Sequence, residues 1–379
     1  MTTSADAIVV GGGVIGLSVA WTVRRSGRSV ILVDPDSNEA ASLVAAGMLA
    51  PVTEASFGEE PLLRLNLLAA ARFPEFAAEL EDATSREVGL RREGTLTVAY
   101  DAGDRAAVAR LAALRRSYGL SADDLDARSC RVLEPLLSPD ICAGVFAADD
   151  WSVDNRRLLS ALREAVVTAG VTLVTGRVTQ LDLTGNRVCG VTTDDGTTLR
   201  ADTVVLAAGA WSGSIPGVPD VVGRNVRAVK GQLLRLRVPA AMPPPVQHTV
   251  RATVRGFDVY LVPRADGQLI VGATMEERGF DRTVTASAVH DLLRDATTLV
   301  PAIGELVLEE AGVGLRPATR DNLPLVDGAD VDGLIIATGH YRNGILQSAI
   351  TADAVLALLD GKERAEEWRA LHATAAGTR

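Results

Sequence analysis

The most specific chemical motif in the chain is a glycine-rich turn near its start. Gly11, Gly13 and Gly16 form a G-x-G-x-x-G pattern between an apolar run and a helical run, and Asp34 ends the next apolar run. In such a unit the first glycine permits a tight turn, the second lets a pyrophosphate approach the backbone, and the third lets the helix pack on the strand. The acid can accept a hydrogen bond from a ribose hydroxyl. The spacing predicts a dinucleotide site and leaves open whether NAD or FAD binds.

Two arginines in the last quarter of the chain could bind an organic anion. Arg316 follows a predicted strand, and its guanidinium offers a fork of donors that matches a carboxylate. Arg342 lies in a glycine-bounded loop between a predicted strand and a predicted helix, where backbone N–H groups would face an acceptor. His340, in the same loop, is expected to contribute backbone or packing contacts and no proton transfer. Solvation at the surface is the alternative for the arginines.

Two more residues are candidates for the same pocket. Tyr260 and Met275 lie on predicted strands on either side of a turn at residues 265–267, so they could face each other across a hairpin. Such side chains on strands are more often part of a core, and that alternative stays open. The apolar run 203–207 ends in small residues up to Gly209, which would let the backbone pass close to a cofactor or simply end a buried strand.

The elements that must position these residues follow from the periodicity of the apolar residues. The glycine turn belongs to a predicted βαβ unit, and most later strands cluster in the second half of the chain. Helices are predicted at 14–26, 61–82, 103–118, 121–135, 155–169, 285–298 and 345–360. Strands are predicted at 7–10, 29–34, 90–100, 143–147, 171–175, 188–193, 203–207, 306–311 and 333–338, with several more between 230 and 273.

Composition excludes several classes of protein. The 38 Lys and Arg residues against 48 Asp and Glu residues give a net charge of -10, which argues against nucleic acid or an anionic membrane as partner. With 47% hydrophobic residues the chain can bury a large core, yet no run approaches the roughly 18–20 apolar residues of a spanning helix. The N-terminus does not resemble a secretion signal. The cysteines Cys130, Cys142 and Cys189 predict neither a disulfide framework nor a metal site, so a cytoplasmic protein is expected.

This pattern predicts an α/β fold, α+β overall, made of two units. A Rossmann-like FAD- or NAD-binding domain would comprise residues 1–84, 148–226 and 312–379. A mainly antiparallel sheet, formed by residues 85–147 and 227–311, would be inserted into it as the substrate domain.

Five segments of the sequence strengthen this interpretation when they are taken together: Ala45–Pro51, Val229–Gln232, Tyr260–Arg264, Gly314–Pro317 and Gly339–Gly344. The set resembles the D-amino acid oxidase superfamily of flavoproteins, and within it the glycine oxidases of thiamin biosynthesis in their actinobacterial form. The resemblance covers essentially the whole chain. It implies FAD as the cofactor, and because no cysteine follows Cys189 the FAD is expected to be non-covalent.

The resemblance and the motifs together assign the candidate site residues. Arg316 matches the residue that clamps the substrate carboxylate, and Tyr260, Arg342 and Met275 match its neighbours in the pocket. The expected FAD-binding residues are Gly11, Gly13, Val14, Ile15, Gly16, Asp34, Pro35, Ser42, Ala46, Gly47, Met48, Val178, Gly209, His340, Tyr341, Arg342, Asn343, Gly344, Ile345 and Leu346. One position departs from some family members, since Asp258 stands where they carry a histidine. Ala50 and Thr53, above the flavin, are further candidates for tightening the pocket.

The activity that the resemblance implies is oxidative deamination of glycine, or of small amines such as sarcosine or D-alanine, by hydride transfer to flavin N5. The products would be an imine or glyoxylate, ammonia and hydrogen peroxide, with thiazole synthase as a candidate acceptor of the imine. A D-amino acid or sarcosine oxidase or dehydrogenase, a flavin oxidase acting on a glycine-derived group of a larger metabolite, and a structural flavin are the alternatives. Oxygen is the expected co-substrate, and a homo-oligomer is the expected assembly.

Overall fold

The computed structural model describes residues 3–37, 39–254, 256–362 and Trp368, and the description below is limited to them. The helices in chain order are α1 (Val14–Arg25), α2 (Ala41–Val44), α3 (Glu60–Thr84), α4 (Ala102–Ser117), α5 (Ala127–Leu133), α6 (Asn155–Thr168), α7 (Asp220–Asn225), α8 (Ala286–Leu299) and α9 (Ser348–Leu359). The strands are β1 (Thr3–Val10), β2 (Val30–Asp34), β3 (Met48–Leu49), β4 (Thr95–Ala99), β5 (Asp123–Asp126), β6 (Ala143–Ala147), β7 (Trp151–Ser152), β8 (Thr172–Thr175), β9 (Val178–Thr184), β10 (Arg187–Thr193), β11 (Thr198–Leu206), β12 (Arg227–Arg237), β13 (Thr249–Val254), β14 (Phe257–Pro263), β15 (Gln268–Gly272), β16 (Val307–Ala318), β17 (Leu325–Gly328) and β18 (Leu334–Thr338).

The first sheet carries the glycine turn. Its central strands run in the order β17-β18-β11-β1-β2-β8, and β1 pairs in parallel with both β11 and β2. The end of β1, Ala7–Val10, is an unbroken apolar run that is buried throughout, as expected for a parallel strand covered on both faces. Helices α1, α3, α6 and α9 cover one face, while β9, β10 and α7 pack on the other. This is the predicted dinucleotide-binding architecture.

The second sheet is mainly antiparallel, with strand order β16-β12-β15-β14-β13-β4-β6-β5. Only the β13–β4 pair of these neighbours is parallel. Helix α8 is capped by Thr285, whose hydroxyl accepts a hydrogen bond from the backbone N–H of Ala288, and it packs its apolar face on the sheet. The predicted α/β class with a second antiparallel sheet is confirmed.

The sequence predictions fail where local pattern and pairing disagree. A helix was expected over 121–135, but residues Asp123–Asp126 form the edge strand β5, and the helix α5 starts only afterwards. Asp126 explains the boundary, because its carboxylate accepts a hydrogen bond from the backbone N–H of Ser129 and caps α5. Within the described residues, none of the helices combines the length and apolarity that crossing a bilayer requires.

Candidate active site

A cavity of about 740 Å³ lies where the two sheets meet, and it is lined by residues of both. This volume falls in the usual range of small-molecule and cofactor sites, roughly 300–1,000 Å³. Most candidate residues from the sequence line it: Gly11, Gly13, Val14, Ile15, Asp34, Pro35, Ser42, Ala46, Gly47, Met48, Val178, Gly209, Tyr260, Met275, Arg316, His340, Tyr341, Arg342, Asn343, Gly344 and Ile345. Gly16, Thr53 and Leu346 are the candidates outside the lining, and Leu346 belongs to the core of the first sheet.

The three motif glycines are required for different steric reasons. Gly11 has a φ of 107°, and a Cβ there would lie 2.5 Å from the carbonyl oxygen of Ala207. At Gly16 a Cβ would lie 1.8 Å from the carbonyl oxygen of Gly11, so this glycine lets α1 pack against the turn. A Cβ at Gly13 would meet nothing closer than the Ser42 Oγ, at 3.7 Å, so its Cα faces open cavity. The turn therefore leaves room for a pyrophosphate at Gly13 and at the N-terminus of α1.

The acid at the end of β2 helps to hold this turn. Asp34 Oδ2 accepts a hydrogen bond of 2.6 Å from the Gly12 N–H, and its Oδ1 accepts one of 2.9 Å from the Asp36 N–H. Carboxylate oxygens have lone pairs for further donors. Asp34 is thus positioned by the turn and still lines the cavity, as a ribose-binding acid must.

The segment from Ser42 to Met48 forms the cavity wall next to the turn, where the Ser42 Oγ accepts a hydrogen bond of 3.2 Å from the Val14 N–H. The Asn155 side-chain amide donates a hydrogen bond of 2.7 Å to the Ser42 carbonyl, and Arg264 donates one of 2.5 Å to the Ala46 carbonyl. Gly47 has a φ of 73°, and a Cβ there would lie 2.0 Å from the Val153 carbonyl oxygen. Residues at the start of α6 and just after β14 therefore hold this wall in place.

The loop that follows β18 forms another part of the cavity wall. His340 is buried, and its Nε2 lies 2.9 Å from the Thr351 hydroxyl. Burial lowers the pKa of His340 to about 3, so the imidazole is neutral at physiological pH. The Tyr341 N–H donates to the Pro317 carbonyl, which ties the loop to the end of β16. A neutral, packed histidine agrees with the expected contribution to packing.

Arg316 lies flat on the backbone of the neighbouring strand. A Cβ at Gly231 would lie 2.3 Å from both terminal nitrogens of the Arg316 guanidinium, so only glycine leaves room for this side chain. One of these nitrogens, Nη1, donates a hydrogen bond of 3.0 Å to the Thr274 carbonyl. The guanidinium is therefore fixed at the cavity wall, with donors left for an anion.

Tyr260 is accommodated in the same way by a second glycine. It pairs with Gly272 across β14 and β15, and a Cβ at Gly272 would lie 2.4 Å from the Tyr260 hydroxyl oxygen. Burial raises the pKa of Tyr260, although the charges of Arg316 and Arg251 act in the opposite direction. The phenol is therefore protonated and can donate a hydrogen bond to an anion held by Arg316.

The two remaining pocket candidates differ in their surroundings. Met275 is 67% exposed at the mouth of the cavity, where its sulfur accepts a hydrogen bond of 2.8 Å from the Tyr341 hydroxyl. Arg342 lines the cavity with its Nε 3.3 Å from Glu54 Oε2, and that carboxylate raises the pKa of Arg342 further. Arg342 is thus already paired with an acid.

Sequence reasoning missed Glu54 and Arg251, which both line the cavity. Arg251 lies on β13 directly opposite Tyr260, so the strand register could have found it once the pairing was known. Glu54 directly follows Thr53, one of the residues suspected to tighten the pocket. Asp258, the departure from the family pattern, also lines the cavity and accepts a hydrogen bond of 2.7 Å from the Thr253 hydroxyl.

A glycine turn, an acid after the second strand and a cavity between two sheets together describe a dinucleotide-binding protein, and the comparison with known families identifies the dinucleotide. The family model described as DAO, FAD dependent oxidoreductase, matches residues 6–358. The chain belongs to the DAO family. FAD is accordingly its cofactor, and the residues present fit it, since the space at Gly13 and the glycine turn provide the cradle that a diphosphate needs.

Individual relatives agree with this assignment. The bifunctional protein ThiO/ThiG of Synechocystis sp. is 36% identical over 365 residues, which is 95% of this chain but only 52% of that protein. The chain thus spans about half the length of the ThiO/ThiG relatives that it matches. The glycine oxidase of Geobacillus kaustophilus is 34% identical over 369 residues, covering 96% of this chain and 95% of that one. The crystal structure of a glycine oxidase from that organism superimposes with a TM-score of 0.87, at 32% identity and 96% coverage of both chains.

Proposed function

We propose that this DAO family member oxidises glycine, and other small amines that carry one carboxylate, with FAD as hydride acceptor and oxygen as the final oxidant. The observation that carries the proposal is the pairing of a fixed guanidinium, Arg316, with a protonated phenol, Tyr260, at the wall of the cofactor cavity. Such a pair of donors is matched to a carboxylate. The glycine oxidase relatives, which match nearly the whole chain, support the choice of substrate.

The chain contributes binding and orientation to this reaction. Bound FAD supplies the hydride acceptor and the reaction with oxygen. Arg316 would take the substrate carboxylate with its free donors, and Tyr260 would add a hydrogen bond, so the Cα–H is held in one orientation. His340 is neutral and its Nε2 is hydrogen-bonded to Thr351 in the wall, so it is not expected to exchange a proton with the substrate. No side-chain base is required when the amine enters unprotonated.

An anaerobic titration of the purified yellow protein with glycine tests the proposal. We expect the flavin absorbance to bleach, and hydrogen peroxide to form when air is readmitted. Glycine that leaves the flavin oxidised would refute it, and the same titration with sarcosine and D-alanine then identifies the amine. Bleaching without peroxide would point instead to a dehydrogenase. In an Arg316→Lys variant, more glycine should be needed to bleach the flavin, because lysine lacks the planar fork of donors.

The wider context is also a proposal. The imine product would be handed to a thiazole synthase, and the fused ThiO/ThiG relatives support this link. Glyoxylate and ammonia released in amounts equal to the glycine consumed, even when thiazole synthase is added, would contradict it. The three cysteines of the described chain are free, which agrees with a cytoplasmic location. A homo-oligomer remains the expected assembly, and a light-scattering mass near 40 kDa would refute it.

We further propose the division into a cofactor domain (1–84, 148–226 and 312–379) and a substrate domain (85–147 and 227–311). The strands of the first sheet fall in the former ranges, and those of the second sheet fall in the latter except for β16, which crosses the boundary at residue 312. Residues 363–367 and 369–379 of the proposed cofactor domain lie outside the described residues. Limited proteolysis with and without FAD tests the boundaries, since cofactor should protect the first set of ranges.

A further inference from the structure

Glu54 is a buried acid in the wall of the cavity that the proposed reaction does not use. Its side chain is only 9% exposed, and its Oε1 accepts a hydrogen bond from Arg251 Nη1. Its Oε2 lies 3.3 Å from Arg342 Nε, but no donor among the described residues meets Oε2 with hydrogen-bonding geometry. Burial alone would raise the pKa of Glu54, but the charges of Arg251 and Arg342 outweigh it and hold the pKa at about 2. Glu54 is therefore a carboxylate at physiological pH.

The acid stands between two arginines that approach the pocket from different elements. Arg251 comes from β13, directly opposite Tyr260, and Arg342 comes from the loop after β18. All three charged residues line the cavity that also contains Arg316. Arg316 differs from the other two arginines, because it donates a hydrogen bond to the neutral carbonyl of Thr274. Arg316 is thus available to pair with an anionic ligand, while Arg251 and Arg342 are paired with Glu54.

The backbone behind Glu54 fixes its position. The N–H groups of Val52 and Thr53 donate hydrogen bonds of 2.8 and 2.9 Å to the two carboxylate oxygens of Asp150, which is fully buried. Arg115, also buried, donates one of 2.7 Å to the Thr53 carbonyl. A segment anchored by these three bonds cannot swing aside to release the acid. Glu54 is built in as a permanent counter-ion.

We propose that Glu54 is a specificity-determining positioning residue that keeps a second anionic group out of the substrate pocket. By occupying Arg251 and Arg342 it leaves Arg316 as the cation for the substrate carboxylate, so the pocket takes amines with one carboxylate and discriminates against dicarboxylates. This inference rests on the proposed function, since it assumes that the cavity binds a small carboxylate beside the flavin.

The charges around the pocket decide the direction of the effect. A second substrate carboxylate that reached Arg251 or Arg342 would meet the negative charge of Glu54, and like charges in a partly dehydrated site repel strongly. Six other acids line the cavity, and each accepts a hydrogen bond from a donor other than Arg251 and Arg342: Asp34, Glu39, Asp258, Glu276, Asp291 and Asp295. Replacing Glu54 with a neutral isostere would therefore free two guanidinium groups and create a second anion subsite.

The test compares ligands with one and two carboxylates in the FAD-bound protein. The dissociation constants of acetate, malonate, succinate and glutarate are measured separately from the change in the flavin absorbance spectrum. The three diacids hold their two carboxylates at increasing distances. In Glu54→Gln we expect the affinity of at least one diacid, relative to acetate, to rise tenfold or more over wild type, which corresponds to about 1.4 kcal/mol. A ratio within about threefold of wild type for all three diacids would overturn the proposal.

Matched variants separate this role from a structural one. Glu54→Asp keeps the charge and should keep the wild-type ratio, and the double variant Glu54→Gln/Arg251→Gln should lose much of the gain because one freed cation is removed again. Glu60→Gln is the control, since Glu60 lies in the same region but accepts its hydrogen bond from Tyr118 outside the cavity. A gain in the double variant as large as in Glu54→Gln would also contradict the proposal.

The same titrations distinguish failure of this inference from failure of the proposed function. Ligand binding is measured without turnover, so it does not depend on glycine reducing the flavin. If glycine fails to bleach the flavin but the diacid preference still appears in Glu54→Gln, the substrate proposal is wrong and the role of Glu54 stands. If glycine is oxidised and the diacid ratio stays unchanged, the substrate proposal stands and the role of Glu54 is wrong.

Discussion

Replacing Gly231 with alanine is expected to displace the guanidinium of Arg316 without unfolding the protein. The new Cβ would lie 2.3 Å from both terminal nitrogens of Arg316, well inside contact distance. The clashing atoms are the far end of a flexible side chain, so the arginine can move away while the strand stays in place. Gly231 pairs with Gly314 in the β12–β16 ladder and has no positive φ, so alanine fits its backbone.

The size of the effect follows from the contacts that move. A hydrogen bond to a charged group contributes about 1.5–3 kcal/mol. Since 1.4 kcal/mol corresponds to a factor of ten, losing one such bond to the substrate carboxylate should lower kcat/KM for glycine about 10- to 150-fold. The free energy of unfolding should change little, because the buried side chains of the second sheet keep their packing.

Steady-state peroxide production over a range of glycine concentrations measures this, and urea unfolding checks the fold. Gly328→Ala is the matched control, because a Cβ there would meet no atom of the described residues within 4 Å. We expect its kcat/KM and stability to equal those of wild type. A Gly231→Ala enzyme with unchanged kcat/KM would show that Arg316 does not bind the substrate carboxylate from the position seen here.

Three further outcomes are expected. Gly13→Ala should weaken FAD binding in a fluorescence titration, while its apoprotein unfolds as in wild type. Gly16→Ala should destabilise the apoprotein itself, because its Cβ would meet the Gly11 carbonyl oxygen at 1.8 Å. Equal effects of the two variants on binding and on stability would contradict these separate steric roles. Burial raises the pKa of Asp150 from 3.8 to about 6, so the folded state binds the extra proton, and the free energy of unfolding from this group should fall as the pH rises from about 4 to 6. Asp150→Asn should remove that fall in urea titrations at several pH values, and an unchanged slope would assign it to other groups. Acid precipitation should release all the yellow colour into the supernatant, as no cysteine is found among the described lining residues, and a yellow pellet would demonstrate a covalent flavin.

The parts of the site that the sequence predicted are those set by short-range spacing. The glycine turn is predictable because its three glycines lie within six residues, Gly11 to Gly16, although the atom that a Cβ at Gly11 would meet belongs to the distant Ala207. The loop with His340 and Arg342 was found for a similar reason, as glycines bound it and a strand and a helix flank it. Motifs of this kind can be predicted because their residues are close together in the sequence.

Contacts between distant strands and loops were not predictable in the same way. Nothing in the sequence near Glu54 indicates that Arg251 and Arg342 will surround it, since 197 residues separate Glu54 from Arg251. The failure of the helix over 121–135 has the same origin, because Asp123–Asp126 becomes a strand only through its pairing with β6. Such tertiary contacts override local preference.

The pairing of β1 with β11 also governs when the protein can first bind its cofactor during synthesis. The turn at Gly11 is packed against the carbonyl of Ala207, and β1 lies between β2 and β11 in the sheet. At a translation rate of roughly 5–20 residues per second, the ribosome needs about 10–40 s to travel from one to the other. Until then the apolar strand β1 has an open edge, a state prone to association with other chains. Nascent chains of this protein should therefore depend on chaperones early, and on the supply of FAD only after most of the first sheet has emerged.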